Sequence, residues 1–448
     1  MQKERVFENA FLEYGCMKSM TAPLNRKMYF LTDPIEDRAK DWLDYKINYQ
    51  ATFAAQLMYP MVDTYEVMPW PDRIYQGLYR IAGTDQKERI PRSYSTQMQT
   101  MVNTLNDIRT SDKKITGTQG IGVLMANSLM FQRFPNHNGY DDPQFSSFYG
   151  QTLPLLKRGI PVELVHMENT PFKETFKGLH ILVMSYSNMK PMKLEYHNYL
   201  ADWVKKGGIL IYCGEDIDPY QTVLEWWNTD GNEYKAPSEH LFEKMNLSRN
   251  PGEGTYRYGK GTVIVMREDP KHFVLKAGND QKYFETIASA YQKKIGKEIE
   301  TKNSFIVERG PYTIAAVMDE SVSKEPLTLS GLYIDLFDKD LPVLTSKQIQ
   351  PGEQGYLYDL NKVSGKIKAK VLCGASRIYD EKVSKQSYSF VAKSPINTTN
   401  VSRVLLPRKP EKIRVNGKEE QPEWDESSKT LLLSFENDPA GVNVSIEW

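Results

Sequence analysis

The sequence predicts an α/β plus β protein, and three patterns along its 448 residues support this fold class. In the middle of the chain, runs of Val, Ile and Leu without polar alternation are separated by helical segments. This is typical of a doubly wound parallel sheet covered on both faces. Before it, residues 1–115 alternate helices with two short strands, as in βα units. After it, residues 303–448 contain many short strands and turn signals, which predict a β-sandwich.

The N-terminal region is expected to have the order helix, strand, helix, strand, helix. Apolar runs at 28–31 and 64–70 predict the two strands, and the segment 41–59 between them predicts a helix. The last helix is indicated by an amphipathic stripe of Met98, Met101, Val102, Leu105 and Ile108. This region therefore predicts two βα units.

The middle region predicts five strands, at 121–125, 161–165, 180–184, 209–213 and 262–266. Helices are expected over 144–157 and 191–206 and near 280–294. Glycines at 252, 254, 259 and 261 precede the last strand, and we expect them to form turns. In the C-terminal region, Asn416-Gly417 and Pro351-Gly352 predict further turns.

The composition excludes several classes of partner. Lys and Arg together number 57, as do Asp and Glu, so a net charge of zero gives no electrostatic footprint for nucleic acid or an anionic membrane. No apolar run approaches the ~20 residues of a membrane-spanning helix. Cys16, Cys213 and Cys373 lie far apart, which argues against a disulfide framework or structural zinc. The 27 Tyr and 7 Trp suit stacking on sugar rings, but also ordinary cores.

The N-terminal sequence, MQKERVFENAFLEYGCMKSM, has charges where a signal peptide needs an apolar stretch. We therefore expect no signal peptide in the chain as given. The compartment stays unknown: cytoplasmic by default, periplasmic or secreted if sequence precedes Met1.

Two features of the middle region suggest chemistry, but a structural explanation is favoured for each. Gly117 and Gly120 precede the predicted strand 121–125 and Gly122 lies at its start, whereas the glycines of a dinucleotide fingerprint follow a strand. Cys213 ends the strand 209–213, where open α/β sheets bind ligands. No acid–His pairing is recognisable with it, so a buried apolar thiol is expected rather than a nucleophile.

The histidines and acidic loops of this region are also expected to be structural. His197 lies on an apolar helical stripe, so we expect it to pack within the helix. His137 with Asp141 and Asp142, or Glu215 with Asp216 and Asp218, match no defined calcium loop. We therefore expect no metal and no cofactor.

The two N-terminal strand ends are the best place for chemistry. Asp33 and Glu36 follow the first strand, Glu66 lies within the second, and Trp70, Asp72 and Arg73 follow it. In a barrel of alternating strands and helices, catalytic side chains project from the carboxyl ends of strands. Paired carboxylates near aromatic rings suit glycosidic bond cleavage. The alternative stays open, because Asp-Pro starts turns and acidic residues cap helices.

Three segments of the middle region resemble the middle domain of family 42 β-galactosidases: GIGVLMAN (120–127), FYGQTLPLLKRGIP (148–161) and YLADWVKKGGILIY (199–212). The resemblance implies a flavodoxin-like or class I glutamine amidotransferase-like fold without the amidotransferase triad. In the family this domain mediates oligomerisation and helps to wall a neighbouring active site. The resemblance thus implies a homo-oligomer and an oligo- or polysaccharide substrate.

The N-terminal segments are similar to the end of the family's TIM barrel. KMYFLTDPIED (27–37) resembles the seventh strand and its loop, and YEVMPWPDR (65–73) resembles the eighth strand. This implies a nucleophile at Asp33 or Glu36, although the family nucleophile is a Glu on a different local motif. It also places Trp70 and Arg73 near the substrate. The family's acid/base residue belongs on a fourth strand that this chain does not contain.

These implications give three domains and two hypotheses. The domains are the end of a TIM-barrel-like domain (1–116), an amidotransferase-like α/β domain (117–300) and a β-sandwich (301–448). A TIM barrel takes about 250 residues, so either upstream sequence is missing or residues 1–116 form a small helical cap. The first hypothesis is the carboxyl-terminal part of a β-galactosidase-like glycoside hydrolase, incomplete for catalysis as given. The alternative is a non-catalytic assembly or carbohydrate-binding protein.

Overall fold

The structure, a computed structural model, describes residues 5–24, 26–32, 41–67, 72–81, 83–131, 145–363 and 368–448. The predicted α/β plus β class is confirmed, because a six-stranded sheet combines parallel strands with helices and three sheets of five, four and five strands are antiparallel. One continuous apolar core extends from the N-terminal helices through the α/β sheet to the first antiparallel sheet.

The N-terminal region comprises α1 (Val6–Thr21), β1 (Phe30–Thr32), α2 (Trp42–Leu57), β2 (Tyr65–Val67), α3 (Asp72–Tyr75), β3 (Leu78–Arg80), β4 (Lys87–Arg89) and α4 (Arg92–Thr104). The predicted helix, strand, helix, strand and helix are present, with α3, β3 and β4 inserted before the last helix, and β1 pairs with β2 in parallel. Asp41 caps α2 by accepting the Asp44 N–H at 2.9 Å. The antiparallel β3–β4 pair was not predicted, because the charged, exposed strand β4 carries no apolar alternation.

The middle region comprises β5 (Ile121–Met125), α5 (Ser128–Phe131), α6 (Ser146–Leu156), β6 (Glu163–His166), β7 (Ile181–Met184), α7 (Tyr196–Lys205), β8 (Ile209–Cys213), α8 (Pro237–Lys244), β9 (Gly254–Tyr258), β10 (Gly261–Met266), α9 (His272–Leu275) and α10 (Gln281–Ile295). The sheet order is β6-β5-β7-β8-β10-β9. The five predicted strands are present and run parallel to one another.

The sixth strand, β9, corrects the expectation that this sheet is wholly parallel and that the glycines near 252–261 form turns. It pairs antiparallel to β10 at the sheet edge. Gly254 begins β9 and Gly261 begins β10, while Gly259, at φ +58°, lies in the connecting turn. An edge strand is buried on less of its surface, so its sequence, GTYRY, lacks the apolar run that marks the inner strands.

The C-terminal region comprises β11 (Ser304–Arg309), β12 (Tyr312–Val317), β13 (Leu327–Asp335), β14 (Val343–Ile349), β15 (Gln354–Asp359), β16 (Lys370–Gly374), β17 (Arg377–Val383), β18 (Ser387–Lys393), β19 (Thr399–Leu405), β20 (Lys412–Val415), β21 (Lys418–Glu420), β22 (Glu423–Asp425), β23 (Thr430–Glu436) and β24 (Val442–Glu447). They form the antiparallel sheets β11-β12-β15-β13-β14, β16-β19-β23-β22 and β17-β18-β24-β20-β21. The predicted Asn416-Gly417 turn joins β20 to β21, with φ of +48° and +80°.

These three sheets belong to two packing units. The sheet that contains β11 and β15 packs on the N-terminal helices, where the Phe53 and Tyr356 rings lie 5.4 Å apart and the Tyr356 hydroxyl bonds Thr104 Oγ1 at 2.9 Å. The last two sheets share a second apolar core, although Leu372, Cys373 and Leu405 of the sheet that contains β16 and β19 belong to the main core. The single sandwich expected over 301–448 did not distinguish these units, and the three domain boundaries stay predictions. Among the described residues, no helix is both long and apolar enough to cross a membrane.

Candidate functional site

The strands β1 and β2 bring the two candidate segments to one edge of the sheet. Phe30 pairs with Tyr65, Leu31 with Glu66 and Thr32 with Val67, all in parallel. The carboxyl ends of both strands therefore point the same way. Asp33, Glu36 and Trp70 lie outside the described residues. Asp72 and Arg73 are the first two residues of α3, so the chain turns into a helix soon after β2.

The two faces of this strand pair differ sharply. Phe30 and Thr32 are fully buried, and the Phe30 ring lies 4.7 Å from Tyr14 of α1 and 5.8 Å from Tyr59, which follows α2. Leu31 and Glu66, which are in register, lie on the other face. The Leu31 side chain is 40% exposed and Glu66 is exposed as well. The helices thus cover one face, and the face that carries Glu66 is open.

Buried polar contacts hold both strands in place. The Tyr14 hydroxyl donates to the Leu31 carbonyl at 2.7 Å. Arg309 of β11, only 2% exposed, donates to the Val62 carbonyl and to the Tyr65 hydroxyl, each at 2.5 Å. Burial raises the pKa of Tyr65 to about 12, so its hydroxyl stays neutral. The strand that carries Glu66 is therefore anchored to the first antiparallel sheet.

The carboxyl edge of the α/β sheet is the other place where ligands are expected. Cys213, at the end of β8, is fully buried, and burial raises the pKa of its thiol well above the usual range. Its Sγ lies 4.0 Å from Met266 Sδ. A nucleophilic cysteine needs a lowered pKa and access to substrate. The expectation of a buried apolar thiol is confirmed.

A buried ion pair joins the loops that follow β7 and β8. Lys190 Nζ lies 2.8 Å from Asp218 Oδ2 and also donates to the Tyr186 carbonyl at 2.6 Å. Asp218 accepts further bonds from the Tyr220 N–H and from Gln221 Nε2. Both members of the pair are almost completely buried. They fill this part of the edge with protein side chains.

Two more carboxylates at this edge are bonded within the protein. Asp216 contacts Arg267 at 2.9 Å, accepts from Ser238 Oγ at 2.7 Å and also contacts the Tyr212 hydroxyl. Asp269 accepts from Ser187 Oγ at 2.6 Å and from the Glu215 N–H at 3.1 Å. Asp216 and Asp218 thus bond different cations and do not converge on a shared metal site.

The histidine of the apolar helical stripe is packed, as predicted. His197 is fully buried, its Nε2 lies 2.5 Å from the Tyr186 hydroxyl, and its Nδ1 lies 2.8 Å from His240 Nδ1. Burial lowers the pKa of both imidazoles. Two neutral rings satisfy these contacts if Tyr186 donates to His197 and His197 donates to His240. The contact between the two rings had no sequence signal, because 43 residues separate them.

The structure also brings Cys16 of α1 and His166 of β6 together, with 4.0 Å between Sγ and Nε2. Burial raises the pKa of the Cys16 thiol to about 11 and lowers the pKa of His166 to about 4. Near neutral pH a thiol and a neutral imidazole face each other, so the pair lacks the thiolate that nucleophilic catalysis needs. It joins α1 to the α/β sheet.

The first glycine of the loop 117–122 is explained by backbone packing. A Cβ on Gly117, at φ +87°, would lie 2.2 Å from the Gly159 carbonyl oxygen, so close backbone packing requires this glycine.

Among the described residues, no group of three or more His, Cys, Asp or Glu side chains is placed to hold a metal ion. His137, Asp141 and Asp142 lie outside the described residues.

Three exposed apolar side chains lie in the loops that follow β7 and β8. Ile217 is 71% and Leu224 83% exposed, and Met192 is also exposed. Trp226 Nε1 donates to the Pro191 carbonyl at 2.8 Å, which joins the loop after β7 to the insertion after β8. We call Met192, Ile217 and Leu224 the loop patch.

Comparisons with known proteins give distant structural matches only. No family model and no curated protein matches the chain. A β-galactosidase from Bacillus circulans sp. alkalophilus matches 80% of this chain and 58% of its own, at 11% identity and a TM-score of 0.44. Gan42B, a GH42 β-galactosidase from G. stearothermophilus, matches 80% of this chain and 57% of its own, at 10% identity and a TM-score of 0.44. A rhamnosidase from Novosphingobium sp. PP1Y matches 98% of this chain and 44% of its own, at 10% identity and a TM-score of 0.37.

The chain thus spans about 58% of the length of the first of these proteins. The resemblance predicted from the sequence, to part of a family 42 β-galactosidase, is confirmed as a partial likeness. At about 10% identity and TM-scores below 0.5, the matches carry no residue role over to this chain.

Proposed function

We propose that this chain is the carboxyl-terminal part of a barrel glycoside hydrolase, β-galactosidase-like in type, and that β1 and β2 are two strands of its barrel. The observation that supports this most directly is the open face of the β1–β2 pair, on which Leu31 and Glu66 are in register. The α/β sheet would then be the amidotransferase-like domain, and the last two antiparallel sheets the β-sandwich.

Sheet geometry explains why the open face matters. A pair of short strands is marginal unless further strands or helices cover it, and among the described residues the helices cover the face of Phe30 and Thr32. On the other face, Leu31 and the neighbouring Tyr29, 59% exposed, present apolar surface to water. In a closed barrel, side chains alternate between the interior and the surrounding helices. Leu31 and Glu66 would therefore face the barrel interior.

The proposed chemistry follows from that placement. Asp33 and Glu36 follow β1, and Trp70, Asp72 and Arg73 follow β2, at the carboxyl edge where barrels bind substrate. One of Asp33, Glu36 and Glu66 would act as nucleophile or base, and Trp70 would stack on a sugar ring. The acid/base partner would come from a strand outside this chain. No cofactor is needed for this reaction.

The test is hydrolysis of a panel of aryl glycosides by this chain and by any longer form encoded upstream of Met1. An in-frame extension of ~200–300 residues with a carboxylate at a fourth strand is expected, because a full barrel needs that length. The longer form should turn over at least one glycoside, whereas this chain alone should not. Turnover by the short chain would contradict the proposal. An in-frame stop codon upstream of Met1, with a ribosome-binding site between that codon and Met1, would contradict it as well.

A second role, assembly, is favoured by the loop patch. Exposed apolar clusters on a folded surface mark interaction sites, and Leu224 and Ile217 are among the most exposed large side chains of the described residues. We propose that the loop patch contacts another copy of the chain in a homo-oligomer. Light scattering should give a mass above that of one chain, and Leu224→Glu should lower it. Lys276→Glu, an exposed control outside the patch, should leave the mass unchanged.

A further inference from the structure

The contact between α1 and β6, an edge strand of the α/β sheet, brings together two side chains that can bind a metal ion. Cys16 Sγ of α1 lies 4.0 Å from His166 Nε2 at the end of β6. His166 is only 3% exposed, whereas Cys16 is partly exposed. Among the described residues, the Cys16 thiol is the only hydrogen-bonding group that contacts Nε2. A buried imidazole nitrogen therefore faces a sulfur that can be reached from the surface.

Ser19, three residues after Cys16 on α1, holds the imidazole ring in position. Its Oγ lies 3.1 Å from His166 Nδ1 and accepts the His166 backbone N–H at 3.0 Å. The hydroxyl oxygen has two lone pairs, one for the backbone N–H and one for a proton on Nδ1. Nε2 then keeps its lone pair, which is directed at the thiol. Histidines that bind metal ions are oriented in the same way, by a polar partner of the second ring nitrogen.

The distance between sulfur and nitrogen fits an ion that lies between them. With the bond lengths of zinc as a guide, about 2.3 Å to sulfur and about 2.0 Å to nitrogen, collinear bonds span about 4.3 Å and tetrahedral bonds about 3.5 Å. The observed 4.0 Å is nearer to the collinear arrangement. Structural zinc also needs four ligands, whereas among the described residues no group of three or more His, Cys, Asp or Glu side chains is placed to hold an ion. The pair therefore suits an ion that needs only two ligands.

We propose that Cys16 and His166 bind one monovalent copper ion, Cu(I), between Sγ and Nε2. Cu(I) is selected by soft thiolate ligands, also binds imidazole and is stable with two ligands in line. On binding, the thiol proton leaves to solvent and the ion takes its place, with no change in oxidation state. The charges of the thiolate and Cu(I) cancel, so the buried side chains gain no net charge. This proposal does not depend on the glycoside hydrolase proposal.

Met20 provides a route from the surface to this pair. It lies four residues after Cys16 on α1, so the two side chains are on the same face of the helix. Met20 is 49% exposed, and its thioether is another soft ligand for Cu(I). An ion captured by Met20 at the surface can therefore pass to Cys16 over one helical turn.

The experiment is an anaerobic titration of the full chain with the coloured Cu(I) complex of bicinchoninate, which measures the copper that the protein withdraws. Wild type should withdraw one Cu(I) per chain. Loss of even an outer hydrogen-bond partner of a ligand costs about 10–100-fold in metal affinity, so Cys16→Ser and His166→Gln should each weaken binding by about tenfold or more. Cys213→Ala, which removes a fully buried thiol of the α/β sheet, should bind Cu(I) like wild type. X-ray absorption should show one sulfur and one nitrogen bound to copper.

Thermal unfolding gives a second readout. Cu(I) should raise the melting temperature of wild type, because the bound ion ties α1 to the α/β sheet and so favours the folded chain. Zn²⁺, which needs more ligands, should not, and an equal rise with Zn²⁺ would contradict a two-ligand site.

Three further results would overturn the proposal. Wild type that withdraws no copper would refute it, as would equally strong binding by folded Cys16→Ser. A copper ion with two sulfur ligands would refute the role of His166, because Met20 would then take its place. If Cys16→Ser unfolds, Cys16→Ala replaces it with the same expected loss of binding, and unchanged binding in that variant would be equally contradictory.

Discussion

The chain contains two edges at which parallel strands end, and they differ in how their polar groups are satisfied. At the carboxyl edge of the α/β sheet, Lys190 bonds Asp218 and Arg267 bonds Asp216, so the edge is closed by protein contacts. At the β1–β2 pair, Leu31 and Glu66 lie on a face that the helices leave open. The same strand arrangement therefore predicts a ligand site only where, among the residues that the structure describes, the side chains are not bonded to one another.

The largest expected effect tests whether the α/β edge is closed. Asp218→Asn should cost about 3–5 kcal/mol of unfolding free energy, because it leaves the buried Lys190 cation without its counter-ion. Urea denaturation measures this loss. Glu243→Gln, which breaks the exposed pair with Arg249, is the matched control and should cost about 0–1 kcal/mol. Equal small losses would mean that the Lys190–Asp218 pair does not close the edge.

A second prediction concerns the contact between α1 and the α/β sheet. Burial lowers the pKa of folded His166 to about 4 from 6.5, so the unfolded chain binds the proton first as the pH falls. The contribution that neutral His166 makes to the free energy of unfolding is fully present above pH 6.5 and is lost as the pH falls toward 4. Between pH 7.5 and pH 5, wild type should lose about 2 kcal/mol more than His166→Gln. Parallel losses in the two proteins would contradict this.

A third prediction addresses the N-terminal helices. Gln56 of α2 is fully buried, and neither of its amide atoms has a hydrogen-bond partner among the described residues. An unsatisfied buried amide costs about 1–3 kcal/mol, so Gln56→Met should stabilise this chain by about 1 kcal/mol in thermal or urea unfolding. Gln348→Met, at an exposed site, should have no clear effect. Destabilisation by Gln56→Met would show that this amide has a partner.

The smallest expected effect tests the open face. Leu31→Thr should change the stability of this chain by less than about 0.5 kcal/mol, because Leu31 is 40% exposed and a β-branched residue suits a strand. Phe30→Ala, on the covered face of the same strand, should cost about 3–5 kcal/mol. In a longer form that completes a barrel, Leu31→Thr should become costly. A large loss in the short chain would mean that the face is already packed.

The sequence predicted the inner strands of the α/β sheet well, because burial on both faces leaves an uninterrupted apolar run. The segments 121–125 and 209–213 match β5 and β8 at both ends. The edge strand β9 and the exposed hairpin of β3 and β4 were missed because solvent removes that pattern. Chain order alone also gave no sign that the first antiparallel sheet packs on the N-terminal helices.

The candidate sites were predictable to a different extent. Strand ends pointed to Glu66 and to Cys213 alike, since chain position cannot reveal whether a side chain has partners. The ion pair of Lys190 and Asp218 joins residues 28 apart, and the contact of Cys16 with His166 joins residues 150 apart. Such groupings become visible only once the chain is folded.

The most direct test of the central claim compares substitutions at the two edges in whichever form of the protein hydrolyses aryl glycosides. Asp33→Asn, Glu36→Gln and Glu66→Gln would each be measured beside Cys213→Ala. Our account predicts that at least one carboxylate variant loses about 100-fold or more in kcat, while Cys213→Ala keeps nearly full activity. Loss of activity in folded Cys213→Ala, with all three carboxylate variants active, would contradict it.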